Sequence, residues 1–552
     1  MDRRDFLTAR RKKIAIAPPA RTFRTQSGLN EYAGPWTRNE VQHLLKRTMF
    51  GSVKADIDYF SARSMDQAID ELLNSSAALP LPPVNDYSMD TPDAAVTAGA
   101  TWINNPNDTD DDLNEARRTP FKRWWVGVMI NQDRSIREKL TLFWADHFGT
   151  ETNTIGISHF VYRHNDLLRK NCLGNFKALV KNVTVDPGML IYLNGYLNSA
   201  SAPDENYGRE LMELFTQGKG PVVAYTEDDV RKAARVLTGW RINPTTFDVY
   251  FDDTKHDTNN KQFSSYYSNT NITGQSGAAG ALETDDLITM LLAKDEVSKY
   301  ICRSLYRWFV YYEIDAAAES NVIEPMALIF RNSNYDIKAV LTAMLKSEHF
   351  FDVLNQGCLI KPPVDQVVGC MREYGVVIPP AATEYNDSYA MWGYLLNSMD
   401  RMGQSIGDPP DVSGWPAYYQ APGFHEIWIN HDTLPKRNQF TDSMTWNGYT
   451  RNNKTIQIDT IAFTKTLSNP GDPNVLVNDA LAILYRVPIS DASKQHIKQS
   501  ILLSGQTQDY YWTNAWNGYL ADPTNTATVA IIANRLKSFY QYLMNLSEYQ
   551  LS

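Results

Sequence analysis

The sequence predicts a mainly α protein: a large multi-helix domain, an irregular and partly β insertion, and a smaller helical C-terminal part. Three observations carry that reading. Apolar residues recur at the spacing of a helix face in segment after segment. Helix-start signals stand ahead of several of these segments, such as Thr37 with Glu40 three residues on, and Thr226 followed by Glu227, Asp228 and Asp229. Residues 241–282 are the exception: Asn, Thr, Tyr and Ser dominate there and the periodicity disappears.

The totals bound the rest. A chain of 552 residues exceeds what one hydrophobic core normally holds, so two to four domains are expected. Hydrophobic content of 43% and charged content of 21% describe a soluble globular protein. The 13 Trp and 30 Tyr supply buried area and also suit glycan- or partner-binding surfaces. A formal charge of -10 argues against nucleic acid as the main partner. No stretch approaches the roughly 20 apolar residues of a membrane span. Cys172, Cys302, Cys358 and Cys370 are scattered without metal-finger spacing and read as free thiols.

In chain order, residues 1–30 read as a basic N-terminal arm or a degenerate export signal. Arg3-Arg4-Asp5-Phe6-Leu7 has the core of a twin-arginine signal, but Pro18-Pro19 cuts off the apolar run that should follow. Residues 31–437 form the helical domain. Its first helix follows Thr37 and buries Val41, Leu44 and Leu45; Asp66 to Leu73 is a second. Ser75 to Asp112, rich in Pro, Asp and Asn, reads as a surface loop. Helices are then expected at Phe121–Ile130, Ser135–Phe148, His159–Arg169 and Phe176–Thr184, and after Thr226. The insertion 241–282 carries a strand-like piece at Phe247–Phe251. Helices return at Leu287–Ala293, Val297–Tyr312, Ile323–Asn332, Ile337–Phe351, Val364–Tyr374 and Tyr389–Met402. Pro and Gly density makes 407–430 an aromatic loop. Asp432–Phe440 resumes helix, and the segment 438–552 adds helices at Val475–Tyr485, Ser493–Leu503 and Thr528–Asn545.

The chain is organised around Asp204–Gly218. Read as a helix, it places Tyr207, Leu211, Leu214 and Phe215 on one face. Asn206, Arg209, Glu210, Glu213 and Gln217 fall on the other, and Gly218 ends it. The run Glu205-Asn206-Tyr207-Gly208-Arg209-Glu210-Leu211-Met212-Glu213-Leu214-Phe215-Thr216 resembles the most recognisable motif of the bacterial domain of unknown function 1800 family. Similar blocks follow the family order: His43 to Gly51, Phe143 to Phe148, Asp228 to Trp240, His256-Asp257 with Lys261, and Pro409 to Pro416. The resemblance implies a mainly helical bacterial protein, often exported, with a sulfatase-like partner of the domain of unknown function 1501 family. It implies no reaction and no catalytic residues.

Two function classes are open. One is a binding or assembly component of the cell envelope, docking a partner protein or a glycan through Trp415, Tyr418, Tyr419, Trp428 and His425. The alternative is a hydrolase whose catalytic set is Glu210, Glu213, Arg209, His147, His256 and Asp257. Within it, His147, Glu210, Glu213 and His256 are suited to a divalent metal that activates water. Without metal, two carboxylates suit acid–base work on a glycosidic bond. The structural alternative is that Arg209, Glu210 and Glu213 form ion pairs that only hold helices in register. The compartment is left open, with periplasm or cell envelope favoured over cytoplasm.

Overall fold

Capping chemistry sets the helix starts. A computed structural model describes residues 25–105, 110–220, 222–416 and 424–552, without the side chains of Phe424 and His425. The arginines of the basic arm lie outside the described residues. Thr37 and Glu40 close a reciprocal capping box ahead of the helix Arg38–Thr48. Thr226 and Asp229 do the same for Glu227–Val236, with bonds of 2.8 and 3.2 Å. Asp186 is the N-cap of Pro187–Tyr192, and Pro187 takes the first-turn position where its missing N–H costs nothing.

Helix makes up 58% of the structure and strand 5%, so the fold is mainly α. Among the described residues the strands form three two-stranded antiparallel hairpins. Two lie in the insertion: Trp240–Ile242 with Val249–Phe251, and Lys261–Gln262 with Asn271–Ile272. The third pairs Tyr449–Arg451 with Lys454–Ile456. One apolar core runs through the molecule from Val41 to Tyr549. The C-terminal segment closes back onto it. Arg437 Nε donates to Gln550 Oε1 at 2.7 Å, Ile360 bridges to Leu551, and Arg486 Nη2 donates to Gln42 Oε1 at 2.7 Å. No helix among the described residues is long and apolar enough to cross a membrane. Cys172, Cys302 and Cys370 are buried free thiols, and Cys358 is a half-buried one.

Several elements differ from expectation, each for a local reason. The helix Asp111–Ile130 begins ten residues before Phe121 and keeps Pro120 inside it. Its length is paid back by packing along Ala381–Arg401, where Gly127 lets the Trp392 indole lie directly on the backbone. The Ser75–Asp112 loop is anchored rather than only superficial. Trp102 and Asn85 are fully buried, and Arg117 pairs with Asp93 at 2.6 Å out of solvent. The helix from Ile337 stops at Leu345, short of Phe351. A helix at Tyr510–Ala521 was not expected; its tryptophans Trp512 and Trp516 stack face to face in the core.

The central segment is an α-helix only over Asn206–Met212; Glu213–Gln217 is a π-turn. The wider turn rotates everything after it. Gln217, expected on the polar face, is buried between Tyr266 and Tyr267, while Leu214 is half-exposed. Gly218, with φ of +75°, then ends the element.

Candidate functional site

Gly208 fixes where the central helix sits. A Cβ there would stand 3.2 Å from the Ala234 nitrogen, so glycine lets this helix lie flush on Glu227–Val236 and a larger residue would push the two apart. That approach puts Arg209 beside the start of the neighbouring helix. Its guanidinium grips Glu227 with two bonds, 3.0 and 2.6 Å, and reaches Glu205 at 3.2 Å. Glu213 lies 3.9 Å from Arg209 and is held more closely by Lys219, at 2.8 Å, with a hydrogen bond from Tyr225.

Glu210 is different. It is half-buried, and its Oε2 is out of solvent with no hydrogen-bond partner among the described residues. Burial and the nearby Glu213 charge push its carboxyl above the usual range. Lys219 and Arg209 oppose that shift, and Asp411 adds to it. Tyr192, whose hydroxyl stands 3.4 Å from Glu151 Oε1, feels the charges of Asp411 and Glu210 too; burial and these acids raise its phenol. The result is a polar cluster in which Glu210 feels two further carboxylates, Glu213 and Asp411, and the phenol of Tyr192, with Lys219 and Arg209 as its cations.

The 407–416 segment brings Asp411 to this place. Asp146, at the end of the helix Arg137–His147, accepts the Trp415 N–H at 2.7 Å. Burial, only partly offset by that bond, raises the Asp146 carboxyl well above the usual range, and Asp411 raises it further. The seat requires Gly414, at φ +82°, and Gly149, whose absent Cβ leaves room for the Val412 carbonyl. Trp415 and Trp428 are 3% and 4% exposed. Their rings belong to the core and present no face to an incoming partner or glycan. Tyr418 and Tyr419 lie outside the described residues, as does the His425 side chain.

The remaining expected residues are elsewhere. His256 Nε2 is 3.0 Å from Glu283 Oε1, and its Nδ1 meets the Thr238 carbonyl at 2.9 Å. Glu283 also takes Lys261 at 2.5 Å and the Gln275 N–H at 2.7 Å. Burial alone would raise the Glu283 carboxyl, but the hydrogen bonds from His256 and Lys261 hold it below the usual range. Asp257 pairs with Arg235 at 2.6 Å. Burial opposes its ionisation, but the bonds from Arg235 and Asn259 prevail and bring it to about 2. His147 does touch the central segment, donating Nε2–H to the Phe215 carbonyl at 3.1 Å. Burial lowers its imidazole to about 4, so at neutral pH it is uncharged.

Arg209, Glu210 and Glu213 therefore share one charge cluster, while His256 and Asp257 are committed to another. His147 is spent on a backbone carbonyl. The expected metal set of His147, Glu210, Glu213 and His256 is not assembled. Among the described residues no three His, Cys, Asp or Glu side chains are grouped to hold a metal ion. Sequence reasoning missed Asp411, Tyr192, Lys219 and Tyr225. Asp411 stood within a quoted motif but was read only for its loop-forming neighbours; the others carried no signal.

Compared with known proteins, the chain matches the family model described as "Protein of unknown function (DUF1800)" over residues 43–551. Searches of curated proteins and of solved structures found no match.

Proposed function

The chain belongs to the DUF1800 family, whose description assigns no reaction, and we propose that it is an acid–base hydrolase working in the Glu210 cleft. One observation carries this reading: the half-buried Glu210 carboxyl has a raised proton affinity and an oxygen with no partner inside the protein. An ion pair that only holds helices together satisfies its oxygens; here Arg209 serves Glu227 and Lys219 serves Glu213. Glu210 is the general acid, its proton retained by burial and by like charge. Glu213 is the second carboxylate, fixed by Lys219 and Tyr225. Two carboxyls of unlike environment suit cleavage of a glycosidic bond, which makes a glycan the substrate class.

The test is turnover of a panel of oligosaccharides and aryl glycosides. Glu210→Gln is expected to lose about 100-fold or more in rate, the usual worth of a positioned acid, without losing thermal stability. A variant that unfolds, or one that cleaves as well as the parent, overturns the reading.

A second reading, assembly with a partner protein in the cell envelope, is supported by a different observation. Tyr510, Tyr511, Leu520 and Ile531 on the last two long helices are between 44% and 53% exposed, and exposed large apolar side chains suit docking. The family resemblance suggests a sulfatase-like partner. Stoichiometric co-purification that is lost in Leu520→Lys would favour this reading.

A further inference from the structure

A cavity of about 890 Å³ opens where the C-terminal segment closes back on the first helices. Cavities of about 300–1,000 Å³ are the size that holds small molecules. Arg38 of the helix Arg38–Thr48 and Lys54 of Lys54–Ser61 line one part of it. Arg486, just past the helix Pro473–Leu484, and Lys494 of Asp491–His496 line another. Among the five charged residues of the wall these four are cations, and the acid is Asp479. The whole chain carries a formal charge of -10, so the basic wall runs against its composition.

Arg486 is the informative member. It is 8% exposed, and its five N–H groups all go to neutral acceptors. These are the Tyr485 and Ala482 carbonyls, the Asn39 carbonyl and side-chain oxygen, and Gln42 Oε1. Burial lowers its guanidinium to about 10, and the charges of Glu373 and Glu40 oppose that only in part. A buried cation normally has an anion against it. The other three cations are paired in the open. Arg38 and Lys54 converge on one carboxylate, Asp58, at 2.7 and 2.6 Å, and Lys494 stands 3.7 Å from the fully exposed Asp491. Exposed pairs contribute little, so these cations can turn to a ligand at small cost. Asp479 accepts the Ser468 N–H and Oγ–H at 2.8 and 2.6 Å. Set against Asp58, Asp491 and Asp479, the four cations leave one positive charge over.

Much of the remaining wall is apolar. Leu467 and Ile483, 5% and 4% exposed, reach it from the core, and Val487, Pro488 and Ile489 continue it. Val353 also lines it and is 76% exposed. A bare inorganic ion would leave this surface unused. We propose that the cavity binds a small amphipathic monoanion, a carboxylate carried on an apolar chain. Arg38 and Lys54, which already converge on one carboxylate, donate to its head. Arg486 adds charge without donors, and the chain covers Val353, Val487 and Ile489. The site shares no residue with the Glu210 cluster and stands whether or not that cluster is catalytic.

The test is calorimetric titration of the full chain with octanoate, with octan-1-ol and inorganic phosphate as matched probes. One octanoate per chain is expected, bound at least about tenfold more tightly than octanol, which lacks the charge, or phosphate, which lacks the chain. The double variant Arg38→Gln/Lys54→Gln, at two partly exposed side chains, should keep the parent's melting temperature and bind octanoate at least about tenfold more weakly. No saturable octanoate binding to the parent overturns the proposal, and so does equal binding of either matched probe. Unchanged octanoate binding in the double variant overturns it as well. The probe comparison is read on the unmodified protein, so a variant that fails to fold does not block the decision.

Discussion

The Glu283 cluster and the Glu210 cluster contain the same kinds of side chain and have opposite fates. Glu283 and Lys261 are fully buried, and Glu283 takes hydrogen bonds from His256, Lys261 and the Gln275 backbone. Its charge is entirely used inside the protein. Glu210 is half-open to solvent, has an unpartnered oxygen, and looks toward Glu213 and Asp411. Its charge is not used by the fold. A closed charge network binds helices and hairpins together, whereas an open one is the arrangement from which a ligand can gain.

The strongest way to break this comparison is to remove Glu283. Glu283→Ala leaves Lys261 charged, buried and unpaired, and should cost about 3–5 kcal/mol. Urea unfolding would measure it; a loss below about 1 kcal/mol, the worth of an exposed pair, would mean the cluster is not structural. Next comes His147. Its folded value of about 4 lies below the ordinary 6.5, so the folded state prefers the neutral ring. The associated stability is complete above pH 6.5 and is lost as pH falls toward 4, by at most about 3 kcal/mol. Melting curves of the parent and of His147→Gln should converge across that window, the parent losing more. Parallel curves would show that His147 does not titrate in the fold.

Much of the fold was legible because the signals were local. The Thr37–Glu40 and Thr226–Asp229 boxes are three-residue chemistry, and the helix Phe176–Thr184 matches the segment expected from the sequence. The π-turn at Glu213–Gln217 was not legible. No residue type in it announces the wider turn, yet it moved Gln217 from the predicted polar face into the core. The site was half legible for a related reason. Arg209, Glu210 and Glu213 share one helix, so spacing alone placed them together. His256 and Glu283 are 27 residues apart, and no periodicity reports that they meet. Asp411 reaches the cleft only because Gly149 and Gly414 let two backbones touch, which is tertiary information.

The Glu210 side of the comparison is sharpened by a substitution of the opposite sign. An acid whose folded-state affinity for protons is raised penalises folding wherever it is ionised. Glu210→Gln should therefore stabilise the protein at pH 7, by about 1 kcal/mol, as relief of a functional-site cost commonly does. The advantage should vanish as pH falls below about 4.5, the ordinary glutamate value, where the unfolded chain is protonated as well. A destabilised Glu210→Gln at pH 7 would place Glu210 with Glu283 among the structural charges.

The smallest effect concerns Arg209 and Glu227. Their two-bond geometry looks strong, but Glu227 is 66% exposed, and exposed pairs contribute little. A double-mutant cycle with Arg209→Ala and Glu227→Ala should give a small coupling that weakens further as salt is added. The single change Arg209→Ala should also act on Glu210. Arg209 is one of two cations holding that carboxyl down, so its loss drives the proton affinity of Glu210 further up. A pH–rate profile would then keep its shape while its Glu210 limb moves to higher pH. If the limb stays in place, Arg209 serves Glu227 alone and the cleft is narrower than the cluster of charges around it.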